Sequence, residues 1–279
     1  MQVVRTVAEF REARRALAAP VGFFPTLGYM HEGHLSLVER ARRECASVTA
    51  SIFVNPTQFG PNEDFSRYPR DEARDLAMLE RAGVDLVILP SVDEMYPDGG
   101  VTRVRVAGLS DVLEGERRPG HFEGVTTVVA KLFNIVQPDF AYFGQKDAQQ
   151  LLIIERMVRD LLMPVTVVRC PTVREADGLA CSSRNVYLTP DERVQAVALW
   201  EGLQAAAAAC EAGERDADRL RAVCRTEIEA RPLARIDYLS LADEQTLEEV
   251  QGGMHHPALM SLMVAFGNTH LIDNLTLRP

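Results

Sequence analysis

Apolar residues follow two rhythms along this chain. Short unbroken runs alternate with stretches in which apolar positions recur every three or four residues. Residues 21–24 form a run that Pro25 stops. Residues 35–44 then read as a helix, with Leu35, Val38 and Ala41 on one face. A second run, 48–54, ends at Asn55-Pro56, and 71–82 reads as a helix that aligns Leu76, Leu79 and Ala82 before Gly83. Segments 85–89, 139–143 and 165–168 are further strand candidates, and 125–136 and 147–162 further helices. Apolar strands alternating with helices predict a parallel sheet covered on both faces. The expected fold is therefore α/β, a Rossmann-like doubly wound parallel sheet. Such sheets bind ligands at the carboxyl ends of the strands, near the switch point.

The rhythm changes after about residue 172. Residues 172–190 are polar and turn-rich. Thr189 offers an N-cap, Pro190 the first helical position, and Asp191 and Glu192 the first-turn acids. An alanine-rich helix is expected to about residue 212, another over 217–230, and strands at 236–241, 259–266 and 270–275. This pattern predicts a smaller C-terminal α+β domain. The boundary is set near Arg174, giving domains 1–174 and 175–279.

Composition narrows the function classes. A chain of 279 residues can bury a sizeable core, and 47% hydrophobic with 25% charged residues is ordinary for a globular protein. A net charge of -10 argues against nucleic acid or an anionic membrane as partner. No apolar run approaches the roughly 18 residues that span a bilayer, and the N-terminus lacks the pattern of a signal peptide. The five cysteines are scattered and form no CxxC, which suits reduced thiols in a cytoplasmic protein. The basic residues are almost all arginine; lysine stands only at Lys131 and Lys146. A compact ammonium fits a tight phosphate pocket that a guanidinium would overfill, so both lysines are functional candidates, Lys146 before Lys131.

The segment 25-PTLGYMHEGHLSL-37 joins a strand to a helix. Gly28 and Gly33 would let backbone approach a ligand, and a helix N-terminus binds phosphate. His31 and His34 could hydrogen-bond phosphate oxygens and stabilise developing charge. A metal site would need a third ligand at workable spacing, which is not nearby. On spacing alone a phosphate site, a structural turn and a metal site all stay open, with phosphate favoured.

PTLGYMHEGH closely resembles the HxGH signature of a nucleotidyltransferase superfamily, and its wording resembles the pantothenate synthetase family (pantoate–β-alanine ligases). The resemblance continues through 52-IFVNPTQFGPNEDFSRYPR-70, 118-RPGHFEGVTTVVAKLFNIVQPDFAYFGQKDAQQL-151 and 173-VREADGLACSSRN-185. It implies ATP-dependent condensation of pantoate with β-alanine to pantothenate. Pantoyl adenylate would be the intermediate, and pyrophosphate and AMP would be released. Domain 1–174 would bind nucleotide and pantoate, and 175–279 would act as a lid. The rival is another HxGH nucleotidyltransferase acting on a phosphorylated acceptor.

The resemblance assigns the ATP site to Leu27, Gly28, Tyr29, Met30, His31, Glu32, Gly33 and His34, to Gly144, Gln145, Lys146 and Asp147, and to Val173, Cys181, Ser182, Ser183 and Arg184. His34, His31, Lys146 and Arg184 would be catalytic. Gln58 and Gln150, with Arg118 and His121, would bind pantoate and β-alanine, and Phe53 and Asn55 would line the entrance. Gln149 reads as a solvated helix face. Residues 58–70 are expected to form a mobile lid or a dimer-contact loop. Mg2+ would come with ATP, with no protein ligand assigned, and the chain would be a homodimer. Leu27, Tyr29, Gln145, Ala148 and Cys181 depart from the family's usual Met, Ala, Glu, aromatic and Met. These changes bear on affinity and leave the reaction class alone.

Overall fold

A computed structural model describes residues 1–61, 63 and 65–279. The elements run β1 (Gln2–Val4), α1 (Val7–Arg14), β2 (Val21–Thr26), α2 (Glu32–Glu44), β3 (Ser47–Ile52), α3 (Glu72–Arg81), β4 (Leu86–Ile88), α4 (Val92–Met95), α5 (Glu114–Arg117) and α6 (His121–Val136). They continue β5 (Phe140–Gly144), α7 (Ala148–Asp160), β6 (Thr166–Cys170), α8 (Pro190–Gln195), α9 (Ala198–Glu211), α10 (Ala217–Glu229), β7 (Ala234–Asp243), β8 (Ala258–Phe266) and β9 (Thr269–Leu277). The backbone clusters into two compact units. The first comprises Met1–Asp111, Gly115–Gln145 and Gln149–Pro171; the second comprises Val112–Glu114, Lys146–Ala148 and Thr172–Pro279.

The first unit is built on a parallel sheet of order β1-β4-β3-β2-β5-β6. The chain lays down β2, β3 and β4 in one direction, then returns to place β5 on the other side of β2. The switch point therefore lies between β2 and β5. The central strands are buried on both faces, which is why β3 (SVTASI) and β4 (LVI) lack an alternating pattern. One core layer takes in Phe10, Phe23, Val128, Phe133, Leu151 and Ile154, and the other Phe24, Val38, Val48, Leu79 and Tyr142. Each large side chain of this kind contributes about 1.5–3 kcal/mol on burial.

The strands and helices expected in this unit are all present, but Pro25 does not stop the first of them: β2 runs through it to Thr26, with Pro25 opposite Ser51 and Thr26 opposite Ile52 on β3. Two more, β1 and α1, precede them. β1 is three residues long, too short to give a pattern, whereas α1 carries a capping box in which Thr6 and Glu9 bond reciprocally. Helix α6 begins at His121, four residues before the apolar run, because Gly120 adopts φ 83 and turns the chain into it.

The second unit packs α9 and α10 against an antiparallel sheet of order β7-β8-β9. Every residue of β8 is buried, so its nine positions show no alternation either. The single helix expected from Pro190 to about residue 212 is interrupted at 196–197. There Leu199 and Trp200 donate their N–H groups three residues back, to Ala196 and Val197, tightening the turn. Among the described residues no helix is long and apolar enough to cross a membrane.

Candidate active site

Strands β2, β3 and β5 are neighbours and parallel, so the segments that follow them start at one edge of the sheet. Phe53 N–H donates to Thr26 C=O at 3.0 Å, keeping the first two segments in register as they leave the sheet. After Thr26 the chain turns through Gly28 (φ +92) and Tyr29 (φ 52). A left-handed tyrosine is strained and must be held. The holder is Asp75 on the first turn of α3. Its carboxylate accepts the N–H groups of Tyr29 at 2.6 Å and Met30 at 2.8 Å. Asp75 is 1% exposed. Burial raises its pKa above the ordinary carboxylate value, against the pull of the two N–H groups. A Cβ on Gly28 would lie 2.9 Å from Asp75 Oδ2, so the turn itself demands glycine. The Arg74 guanidinium lies 5.3 Å from the centroid of the Tyr29 ring, a contact that a shorter side chain could not make.

This turn delivers His31 as the N-cap of α2. It makes no side-chain cap bond. Its ring stacks on that of His34 with centroids 3.9 Å apart and planes 24° apart. Phe24 stands 5.7 Å from His34 on the strand side. The two imidazoles thus form one face at the start of α2, beside the N–H groups of its first turn.

A second cluster follows β3. Asn55 is fully buried and caps the turn Pro56–Gln58 through its side-chain oxygen. That oxygen also accepts the Tyr96 hydroxyl at 2.7 Å, while the Asn55 amide donates to Gly124 C=O and to Gln58 Oε1, each at 3.1 Å. Gln58 therefore presents its NH2 as a donor. Helix α6 approaches this turn so closely that a Cβ on Gly124 would lie 2.3 Å from the Thr57 carbonyl oxygen. His121 on the same helix bonds the Gln58 carbonyl through Nδ1 at 2.8 Å and Arg118 through Nε2 at 3.0 Å. A carbonyl only accepts and a guanidinium only donates, so these partners assign the neutral imidazole with its proton on Nδ1. Arg118 also grips Glu63 with two bonds, at 2.8 and 2.6 Å. Burial opposes ionisation of Glu63, but the bonds and charge of Arg118 outweigh it and hold its pKa below the usual range. Phe53 and Asn55 are core residues of this region. The segment 58–70 includes Asn62 and Asp64, which lie outside the described residues.

The β5 end supplies Gly144 and Gln145. On α7 Gln150 is half-buried. Gln149 corrects the expectation of a solvated face. It is 7% exposed and donates to Leu109 C=O at 2.8 Å, because α7 is covered on that side by the 104–111 loop. Lys131 is engaged structurally, donating to Met95 C=O at 2.6 Å with its ammonium 4.7 Å from the Tyr96 ring centroid.

The second unit carries the remaining candidates. Lys146 sits in the turn Gln145–Asp147, with Nζ 3.4 Å from Asp147 Oδ1. Residues 173–181 form a small hairpin, bridged between Arg174 and Ala180 and closed by Cys181 N–H donating to Val173 C=O at 3.0 Å. It ends at Ser182, whose hydroxyl accepts Arg184 N–H at 3.2 Å and starts the short turn Ser183–Tyr187. Asn185 ties that turn to Glu175 at 2.8 Å and to Ala180 C=O at 3.1 Å. Arg193 in turn holds Glu175 and Asp177, each at 2.7 Å. Cys181, Ser182, Ser183 and Arg184 are thus presented by a braced loop.

Among the described residues no three His, Cys, Asp or Glu side chains converge as a metal site. The position that the sequence argument missed is Asp75. One signal was available: an aspartate four and seven residues before Leu79 and Ala82 lies on the apolar face of its helix. Asn274, which bonds the Lys146 carbonyl, gave no such signal.

The family model for pantoate–β-alanine ligase matches residues 2–276. The pantothenate synthetase of Chloroflexus aurantiacus (strain ATCC 29366 / DSM 635 / J-10-fl) is 60% identical over 274 residues, covering 98% of this chain and 97% of that protein. The pantothenate synthetase of Herpetosiphon aurantiacus is 56% identical over 277 residues, covering 99% and 100%. Among solved structures, the pantothenate synthetase from Thermus thermophilus superposes with a TM-score of 0.95 at 52% identity over all of both chains. A pantoate–β-alanine ligase from Francisella tularensis, complexed with beta-gamma ATP and β-alanine, gives 0.80 at 33% identity, covering 99% and 97%.

Proposed function

The chain belongs to the pantoate–β-alanine ligase family, and we propose that the residues described above divide that family's two-step reaction among themselves. The reaction is the condensation of pantoate with β-alanine, and the protein is a ligase. In the first step the pantoate carboxylate attacks the α-phosphorus of ATP, and pyrophosphate leaves. In the second, the amine of β-alanine attacks the acyl carbon of the adenylate, and AMP leaves.

His31 and His34 hydrogen-bond the α-phosphoryl oxygens and stabilise the charge that grows there. The observation that carries this reading is their stacked pair at the N-terminus of α2, the helix that follows β2, one of the two strands that flank the switch point. Leu27 to Gly33 and Gly144 to Asp147 complete the nucleotide contacts. Lys146, Ser182, Ser183 and Arg184 hold the polyphosphate, supplying an ammonium, two hydroxyls and a guanidinium fork. Val173 and Cys181 belong to the loop that presents them. Gln58 and Gln150 hold pantoate, and the NH2 that Gln58 presents suits a carboxylate or hydroxyl oxygen. Arg118 and His121 fix the backbone of Gln58. Mg2+ would be carried in on the phosphates of ATP and would offset their charge. Proximity drives the second step, and exclusion of water protects the adenylate. The working arrangement is a cytoplasmic homodimer, with residues 1–174 serving nucleotide and pantoate and 175–279 forming a separate module.

Pyrophosphate release from ATP tests this reading. It should require pantoate, and AMP and pantothenate should follow only on adding β-alanine. Turnover without pantoate would overturn it.

A further inference from the structure

Lys146 is rooted in a place with little regular support. It lies in a single tight turn between the end of β5 and the start of α7. Among the described residues its ammonium has one loose partner, Asp147 Oδ1 at 3.4 Å, and it rides on a flexible four-carbon stem. A side chain of this kind reaches a fixed point only if its own backbone is fixed.

Strand β9 supplies that fixture. Asn274, 5% exposed, donates its side-chain NH2 to the Lys146 carbonyl oxygen at 2.8 Å. Asn274 is itself held by its neighbour. Its backbone N–H donates to Asp273 Oδ1 at 2.8 Å. Asp273, 2% exposed, receives both arms of Arg174, at 2.6 and 2.9 Å. The Arg174 guanidinium lies against Trp200, 3.6 Å from the ring centroid, and also donates to Gly178 C=O at 3.1 Å. All of these residues belong to the second unit. A buried bidentate pair stacked on an aromatic plane is among the more rigid anchors available to a side-chain network.

We propose that Asn274 is a positioning residue for the adenylation step. Anchored by Asp273, Arg174 and Trp200, it holds the Lys146 backbone so that the ammonium meets the polyphosphate of ATP. This inference rests on the reading of Lys146 as a phosphate ligand. A bond that merely satisfied a carbonyl would stabilise the fold without touching nucleotide affinity.

A double-mutant cycle on the full chain separates the two, read as the equilibrium dissociation constant for ATP. Asn274→Ala should weaken ATP roughly fivefold to tenfold, as expected for one lost hydrogen bond. Asn274→Ser, which keeps a short donor, should recover part of that loss. In a Lys146→Ala background Asn274→Ala should have no further effect, because the group it positions is gone. KM for β-alanine should not move in Asn274→Ser. Independent, multiplying effects of the two substitutions would overturn the positioning role, as would a lowered thermal midpoint with ATP affinity unchanged. If Asn274→Ala fails to fold, Asn274→Ser in both backgrounds carries the same comparison. Full ATP affinity and adenylation in Lys146→Ala would instead overturn the reading of Lys146, and with it this inference.

Discussion

Asp75 and Met30 are joined by a hydrogen bond of 2.8 Å from the Met30 N–H to a carboxylate that is 1% exposed. The bond reaches across 45 residues of sequence. It places the first turn of α3 beneath the turn that leads into His31. A buried acid is costly unless its oxygens are used, and here both are, since Tyr29 takes the other at 2.6 Å. Asp75→Asn keeps one acceptor but sets an NH2 against the second N–H. The expected loss is about 1–3 kcal/mol of stability, with pyrophosphate release slowed roughly tenfold or more through misplacement of the histidines. Urea denaturation and a pyrophosphate assay check the two effects. Wild-type values for both would show that the turn holds itself.

Gly28→Ala attacks the same turn from the other side. The new Cβ meets Asp75 Oδ2 at 2.9 Å in a backbone region that alanine disfavours. We expect a cost of about 1–3 kcal/mol, measured by thermal or urea unfolding, and a rate loss similar to that of Asp75→Asn. Combining the two substitutions should cost less than the sum, because each disturbs one shared contact.

Glu63 gives a pH prediction with a definite sign. Its folded-state pKa is depressed, so its contribution to stability is present above the unfolded value, about 4.3, and is lost as pH falls through the folded value. The stability difference between the wild type and Glu63→Gln should therefore be constant from pH 7 to about 5 and shrink below that. A difference that stays level down to about pH 3, in urea titrations at each pH, would contradict the Arg118–Glu63 pairing.

Lys146→Ala should abolish adenylate formation while the protein stays folded. The side chain is 19% exposed with one loose contact among the described residues, so stability should change little, by about 0.5 kcal/mol or less. Circular dichroism and pantoate-dependent pyrophosphate release test both halves. Retained adenylation would misplace the phosphate site.

Thiol labelling probes the loop that presents Ser182 to Arg184. Cys45, Cys170, Cys210 and Cys224 are buried, and Cys181 is half-buried. Burial raises the pKa of Cys45 and Cys170 and pushes Cys224 up to about 12. At about pH 8 an alkylating reagent should modify Cys181 first and reach the others only on unfolding. Added ATP should slow the reaction at Cys181. Labelling indifferent to ATP would remove Cys181 from the nucleotide site.

The sequence by itself determined the class of fold, because two periodicities, apolar runs and helical stripes, are local properties of the chain. It determined some element ends too, since Asn55-Pro56 and Gly83 act on their own neighbours, whereas Pro25 did not stop its strand, which pairs on to Thr26. The wording around His31, His34, Lys146 and Arg184 determined the family. The tertiary structure alone decided what holds those groups in place. Gln149 looked like a surface residue because its partner, the Leu109 carbonyl, lies 40 residues away. Asp75 looked like one more helix acid, although its position on an apolar stripe hinted otherwise. Asn274 sits 128 residues from the carbonyl it holds, and Asp273 lies 99 residues from Arg174. Periodicity reports which side of an element faces inward. It carries nothing about which distant polar group waits there, and in this protein those distant pairings fix the geometry of the candidate site.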